Sequence, residues 1–221
     1  AKPFVVSEVP DKDWVAEVRR ELAPVEAGDF FVYGSHDSDK VPANCKPLLI
    51  EAAMAFGTGH HGTTKGCLTA LDNLFKSGFI GTNVVDIGCG TAVLAMGAAL
   101  CWPGKVLASD IDEIATETSK ANAHANGLGD RIKIITCAGF DHPDLNASAP
   151  YDLILANILK GPLVALAPDM SKNSILGGYI ILSGLLNTQA DAVIDAYSDE
   201  SFELVDHIKI TEWSILTLRK I

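Results

Sequence analysis

Cysteine pairs, long apolar runs and a secretion signal are all missing from this sequence. Its five cysteines are an odd number and form no C-x-x-C pair, which argues against a disulfide scaffold and a zinc site. No apolar run reaches about 18 residues, so no transmembrane helix is expected. The N-terminal residues lack the basic and then apolar pattern of a signal peptide. These absences predict a cytoplasmic protein with reduced cysteines and no membrane association.

Positive charge is scarce as well. Lys and Arg number 17 against 28 Asp and Glu, which is a formal net charge of −11. Proteins that bind nucleic acid through its phosphates need basic side chains to displace counterions, so direct nucleic-acid binding is not expected. An acidic surface suits a basic partner, although it is also typical of proteins that are simply soluble.

A regular alternation of strand and helix patterns runs from Pro47 to the end of the 221 residues. The patterns predict a strand at 48–53 and a helix at 63–75. Further strands are predicted at 83–88, 105–110, 131–136, 151–156, 178–183, 202–209 and 212–219, and further helices at 92–101, 112–126, 161–172 and 187–199. This alternation predicts an α/β, Rossmann-like fold with a doubly wound, mostly parallel seven-stranded sheet. Thr211 and Glu212 leave only a tight connection between the last two strands, which should therefore form an antiparallel C-terminal hairpin.

The N-terminal residues have a different pattern. Asp13–Leu22 is typical of a short amphipathic helix, Phe30–Tyr33 of a short strand, and 34–44 is polar and rich in turn residues. A stretch of this size is too small to bury a core of its own. We therefore interpret residues 1–45 as a linker or a remnant of an N-terminal region, and 46–221 as one domain.

The most informative segment is VVDIGCGTAVLAMGA at Val84–Ala98, which has the pattern of a buried strand, a glycine-rich turn and a helix start. Gly88 and Gly90 suit a turn in which the backbone approaches a ligand or adopts a positive φ. Asp110 follows about 20 residues later at the end of a second strand, where an acid can bind ribose hydroxyls. The segment predicts a nucleoside-containing cofactor. The alternatives are a purely structural turn for the glycines and a helix N-cap for Asp110.

Two details of the turn distinguish between cofactors. The dinucleotide fingerprint G-x-G-x-x-G requires a third glycine where this chain has Val93, so that fingerprint fails. Asp86 instead completes the pattern D-x-G-x-G, which resembles motif I of the class I S-adenosylmethionine-dependent methyltransferases. In this resemblance Asp86 helps to orient the cofactor's amino-acid end, and Asp110 holds the ribose by charge-assisted hydrogen bonds. The cofactor-binding residues predicted from the turn are Asp86, Gly88, Gly90 and Asp110.

Other segments resemble the PrmA family of bacterial ribosomal protein L11 methyltransferases. They are AFGTGHHGTT at Ala55–Thr64, A-N-I-L at Ala156–Leu159 and L-S-G at Leu182–Gly184. The resemblance implies that 46–221 is the methyltransferase domain, with Thr64 by the methionine end of the cofactor, Gly88 packed under it and Asn157 beside the reactive methyl. It also implies a ferredoxin-like recognition domain before a linker, near which this chain begins.

One position in the turn departs from the family pattern. The family has G-x-G-S-G, whereas this chain has Ala92 in place of the last glycine. Alanine at a helix start is expected to be a mild change that leaves cofactor binding intact.

The implied function is transfer of methyl groups from S-adenosylmethionine to amines of a basic ribosomal protein of the large subunit, on a lysine side chain, an α-amino group or both. Asn157 is the predicted catalytic residue, because its side-chain oxygen can accept a hydrogen bond from the incoming amine. The alternative is a turn residue at a strand end.

The sequence disfavours nucleic-acid substrates and a metal site. Nucleobase amino-methyltransferases have N-P-P-[YF], and the run from Asn157 to Lys160 lacks both the prolines and the aromatic, which counts against DNA or RNA substrates. No metal is expected, because His60 and His61 are adjacent and have no acid pair near them in the sequence. The alternatives that stay open are a methyltransferase of another protein or a small molecule, and a non-catalytic module that binds S-adenosylmethionine.

Overall fold

The computed structural model describes residues 24–50 and 62–221. The strands are β1 Val25–Ala27, β2 Phe30–Tyr33, β3 Lys46–Leu49, β4 Asn83–Ile87, β5 Lys105–Asp110, β6 Ile132–Thr136, β7 Tyr151–Asn157, β8 Ser174–Leu186, β9 Phe202–Ile210 and β10 Trp213–Lys220. The α-helices are α1 Gly62–Lys76, α2 Val93–Cys101, α3 Glu113–Ala125, α4 Pro143–Ser148, α5 Lys160–Ala165, α6 Ala167–Lys172 and α7 Ala190–Asp199. Short 3-10 helices span Ser35–Lys40 and Asn187–Gln189. None of the helices in these two ranges is long and apolar enough to cross a membrane.

The central sheet has seven strands in the order β6-β5-β4-β7-β8-β10-β9. The first five of these are parallel, and β10 is antiparallel to both β8 and β9. The predicted doubly wound sheet with an antiparallel C-terminal hairpin is therefore confirmed. The direction in which the chain adds strands reverses between β4 and β7, so the carboxyl ends of these strands flank the crevice where open α/β sheets bind ligands.

Both faces of the sheet are buried, and side chains along each strand alternate between two apolar layers. On β4, Val84 packs in the layer that contains α1 and α2, whereas Val85 packs in the layer that contains α5, α6 and α7. Leu155 of β7 belongs to the same layer as Val84. Asp86 and Asn157 each lie two residues further along these strands, so both are on the α1 side of the sheet.

A smaller sheet precedes α1. Strand β1 is antiparallel to β2, and β2 is parallel to β3. Phe30, Val32 and Leu48 of this sheet are buried in the same apolar layer as α1 and α2. The division of the chain at residue 45 stays a prediction, and the paired strands β2 and β3 lie on its two sides.

The helix predicted at 161–172 is two short helices that meet at Leu166. Pro168 has no N–H to donate to the Val164 carbonyl, and its ring would clash with that carbonyl, so a continuous helix cannot form. The sequence contained this signal, because a proline inside a helical pattern ends or kinks the helix.

Two strands differ from their predicted bounds by two residues or more. Strand β8 runs from Ser174 to Leu186 rather than over 178–183, and β3 begins at Lys46 rather than at 48. The end of the strand predicted at 48–53, like the helix predicted at Asp13–Leu22, lies outside the described residues.

Candidate active site

The glycine turn between β4 and α2 is hydrogen-bonded to the end of β5. The N–H groups of Gly88 and Cys89 both donate to the Ser109 carbonyl, at 2.7 and 2.9 Å. Gly88 and Gly90 have φ angles of +72° and +56°, in the left-handed region that glycine adopts without strain. The shape of the predicted turn therefore depends on glycine at both positions.

Ala92 also has a left-handed backbone, with φ +61° and ψ +21°, immediately before α2. A Cβ in this conformation costs roughly 1–2 kcal/mol, so alanine introduces backbone strain here. The Ala92 side chain is fully buried, and the burial of its methyl group offsets part of that strain. The expectation that cofactor binding stays intact remains a prediction.

Asp110, at the carboxyl end of β5, is hydrogen-bonded to the turn. Its Oδ2 accepts the Gly90 N–H at 2.9 Å, and its Oδ1 accepts the Asp112 N–H at 3.0 Å. The alternative of Asp110 as a helix N-cap is wrong, because Asp112 caps α3 by accepting the Ile114 N–H at 2.9 Å. These bonds hold the Asp110 carboxylate beside the glycine turn.

Asp86 is a buried carboxyl group with only one of its two oxygens hydrogen-bonded within the described residues. Its Oδ2 accepts the Ala95 N–H of α2 at 3.0 Å, whereas its Oδ1 has no hydrogen-bond partner within the described residues. Burial raises the pKa of the Asp86 carboxyl to about 7, and the negative charge of Asp110 contributes to the increase. A buried carboxylate oxygen of this kind is stabilised by a proton or by a cationic donor. A ligand ammonium fits that requirement.

Asn157, the last residue of β7, faces the first turn of α1. Its Nδ2 lies 3.4 Å from Thr63 Oγ1 and 3.5 Å from Thr64 Oγ1, which are long hydrogen bonds. Thr64 is fully buried, and the fold brings it to Asn157 across 93 residues of chain. Because the amide nitrogen is directed at two hydroxyl groups, Oδ1 is the atom of Asn157 that is oriented to accept a hydrogen bond.

The loop after Asn157 packs against the glycine turn. The Ile158 N–H donates to the Ser183 carbonyl at 3.1 Å. A side chain at Gly88 would clash with Ile158 Cγ2, and one at Gly184 would clash with the Ile158 carbonyl. Gly88 and Gly184 therefore allow the ends of β4, β7 and β8 to come together.

Helix α3 supports the site through side chains that the sequence patterns did not identify. Ser119 Oγ donates to the Gly90 carbonyl at 2.8 Å, and Asn122 Nδ2 donates to the Thr91 carbonyl at 3.1 Å. At the end of this helix, Asn126 exchanges two hydrogen bonds of 2.8 Å with the N–H and carbonyl of Leu49 in β3. These three polar residues recur at helical spacing on one face, which is the signal that could have identified them.

The predicted site residues meet at one edge of the sheet, around the crevice between β4 and β7. They are Thr64, Asp86, Gly88, Gly90, Asp110 and Asn157. The glycine-rich segment at 51–61, with His60 and His61, lies outside the described residues. Within 24–50 and 62–221, no group of three or more His, Cys, Asp or Glu side chains is arranged to hold a metal ion.

A sheet of this order, with a glycine turn after β4 and an acid at the end of β5, defines a class I S-adenosylmethionine-dependent methyltransferase. The solved structure of a ribosomal protein L11 methylase from Lactobacillus delbrueckii subsp. bulgaricus has the same fold, with a TM-score of 0.79. The alignment covers 90% of this chain and 100% of that chain at 24% identity. The family model described as ribosomal protein L11 methyltransferase (PrmA) matches residues 2–221, and the chain belongs to this family.

Two members of the family are similar over nearly the whole chain. The ribosomal protein L11 methyltransferase of Bradyrhizobium diazoefficiens is 47% identical over 213 residues, which are 96% of this chain and 72% of the relative. The enzyme of the same name from Rhodopseudomonas palustris is 46% identical over 220 residues, which are 100% of this chain and 74% of the relative. The predicted activity class, an S-adenosylmethionine-dependent protein methyltransferase, is confirmed.

Proposed function

We propose that this protein transfers methyl groups to amine nitrogens of ribosomal protein L11, on a lysine side chain, on the α-amino group or on both. The relatives that are 46–47% identical carry this substrate in their names. The observation that carries the proposal is the contact of Asn157 with Thr64 at the end of β7. This contact lies beside the glycine turn to which Asp110 is hydrogen-bonded. A net charge of −11 suits a basic ribosomal acceptor, and such an acceptor puts the reaction in the cytoplasm.

The residues around the turn fit the parts of S-adenosylmethionine. In this proposal Asp110 holds the ribose hydroxyls with its fixed carboxylate, while the left-handed turn at Gly88 and Gly90 packs its backbone under the cofactor. The cofactor's ammonium supplies a donor to the buried Oδ1 of Asp86, for which residues 24–50 and 62–221 provide none. Thr64 lies by the methionine end.

Asn157 is the proposed catalytic residue on the acceptor side. Its Oδ1 accepts a hydrogen bond from the incoming amine and aligns the nitrogen lone pair for an in-line attack. Bound S-adenosylmethionine supplies a methyl group on a positively charged sulfur, which becomes an uncharged thioether when the methyl leaves. A lysine has an ordinary pKa of about 10.4, so it must first lose a proton to water, and desolvation at the end of β7 favours the neutral amine.

Two measurements test this function. Calorimetric titration with S-adenosylmethionine measures binding, and incubation with methyl-labelled cofactor and purified L11, followed by mass spectrometry, locates the transferred group. We expect label on amine nitrogens of L11. For Asn157→Ala we expect kcat to fall about 100-fold, a larger change than that in cofactor affinity. Asn146→Ala, which changes an exposed asparagine of α4, is the matched control.

The other outcomes discriminate between the alternatives. Label on a different protein or on a small molecule would replace the proposed acceptor. Cofactor binding without methyl transfer to any protein or small molecule tested would indicate a non-catalytic module that binds S-adenosylmethionine. An absence of cofactor binding would contradict all of these functions.

A further inference from the structure

Leu159 exposes a large apolar side chain close to Asn157. The side chain is 72% exposed, although it follows the last strand residue by only two positions. Its surroundings are well packed: Ile158 lies against Gly88 and Gly184, and Leu163 is fully buried. The exposure of Leu159 is therefore a property of its position rather than of a loosely packed loop.

The backbone of Leu159 is held on both sides. The preceding residue donates its N–H to the Ser183 carbonyl at 3.1 Å, and the Leu159 carbonyl accepts the Leu163 N–H at 3.1 Å at the start of α5. With φ −62° and ψ +152°, the residue is in an unstrained extended conformation. A side chain on a fixed backbone can contact a partner with little loss of conformational entropy.

The run from Asn157 to Pro162 can recognise an acceptor through apolar contact with Leu159 rather than through an ion pair. The run from Asn157 to Pro162 contains no acidic residue, and its charged side chain is that of Lys160. A cationic acceptor therefore gains nothing from charge attraction to this segment. The chemistry that does fit is an alkyl chain that leaves water against Leu159, with a polar amine at its end for Asn157.

We propose that Leu159 is a specificity-determining residue that contacts the methylene stem of the acceptor lysine while the lysine amine is at Asn157. This inference rests on the proposed function. The lysine amine, and not the α-amino group, is the acceptor that depends on contact with Leu159. A lysine side chain places several methylenes between its nitrogen and its main chain, whereas an α-amino group has none there. Leu159 therefore lowers KM for lysine and has little effect on the α-amino acceptor.

Leu176 provides a matched control, because it is 79% exposed and lies near the start of β8. Strands β7 and β8 are parallel and pair from Tyr151 with Ser174 to Asn157 with Ser183, so Leu176 is at the opposite edge of the sheet. Exposed residues of this kind contribute little to folding, so neither leucine substitution should change the free energy of unfolding appreciably.

The experiment measures methyl transfer to purified L11 by wild type, Leu159→Ala, Leu159→Met and Leu176→Ala, with lysine and α-amino products separated by mass spectrometry. For Leu159→Ala we expect KM for lysine methylation to rise about fivefold to tenfold, with kcat and the cofactor Kd within about twofold of wild type. Leu159→Met, which keeps a large apolar side chain, and Leu176→Ala should both behave like wild type.

Several outcomes would overturn the inference. They are an unchanged KM in Leu159→Ala, an equal rise for both amines, an equal rise in Leu176→Ala, or a wild type that methylates the α-amino group alone. A wild type that transfers no methyl group to L11 would overturn the proposed function itself, and the inferred role of Leu159 with it. An active wild type with an unaffected Leu159→Ala would overturn the role of Leu159 alone.

Discussion

The Asp110 carboxylate and the Gly90 N–H are joined by a hydrogen bond of 2.9 Å. The acid at the end of β5 and the turn after β4 are therefore one structural unit. Parallel pairing of these strands, with Ile87 opposite Ser109, brings their carboxyl ends together. An acid that is oriented in this way needs little reorganisation when a ligand binds.

The first prediction concerns Asp110. Asp110→Asn keeps the shape of the side chain but removes its charge, so we expect S-adenosylmethionine affinity to fall by about 1–3 kcal/mol through the loss of charge-assisted hydrogen bonds. Calorimetric titration measures the change. Asp112→Asn is the control, because asparagine is an equally good N-cap and should leave the affinity unchanged. Equal affinities for wild type and Asp110→Asn would contradict the proposed ribose contact.

The second prediction is a pH dependence of stability caused by Asp86. Burial raises the pKa of this carboxyl from the ordinary value of 3.8 to about 7, so the folded state binds the proton more tightly than the unfolded state. The stability that protonated Asp86 contributes is complete below about pH 4 and is lost as the pH rises through about 7. Between about pH 5 and about pH 8 the loss is about 2–3 kcal/mol.

Denaturant unfolding of the cofactor-free protein, compared with Asp86→Asn, checks this pH dependence. The variant cannot titrate at position 86, so its free energy of unfolding should fall less than that of wild type over the same pH range. Parallel pH profiles for the two proteins would show that Asp86 does not titrate in this range.

The third prediction compares two fully buried alanines, Ala92 and Ala98. Ala98→Gly places glycine in the interior of α2 and removes a buried methyl group, so we expect a loss of about 2 kcal/mol. Ala92→Gly removes a similar methyl group but also removes left-handed strain, so it should be less destabilising than Ala98→Gly by about 1–2 kcal/mol. Denaturant unfolding of both variants measures the difference. Equal losses would mean that Ala92 carries no backbone strain.

The fourth prediction concerns the contact of Asn126 with β3. Asn126→Ala removes both hydrogen bonds to the Leu49 backbone, so we expect the free energy of unfolding to fall by about 1–3 kcal/mol. Asn73→Ala, at an exposed position of α1, is the control and should change it by less than about 0.5 kcal/mol. Thermal or denaturant unfolding measures both. A similar small effect in the two variants would show that the contact contributes little to stability.

The central sheet could be predicted because its strands carry strong local patterns. Val84 and Val85 are adjacent apolar residues, as expected for a strand buried on both faces, and the tight connection at Thr211 and Glu212 required an antiparallel pair. The left-handed backbone of Ala92 did not follow from the strand and helix patterns, and the glycine of the family pattern at this position was the signal for it.

The sequence by itself determined the order of elements, the spacing of Asp86, Gly88, Gly90 and Asp110, and the family, because these depend on residues close together along the chain. Only the tertiary structure decided that Asn157 meets Thr64 across 93 residues, that Asp86 keeps one oxygen without a donor within the described residues, and that Leu159 stays exposed. The physical reason is that parallel pairing brings the carboxyl ends of distant strands to one edge. Burial and hydrogen-bond partners at that edge depend on all the elements that meet there.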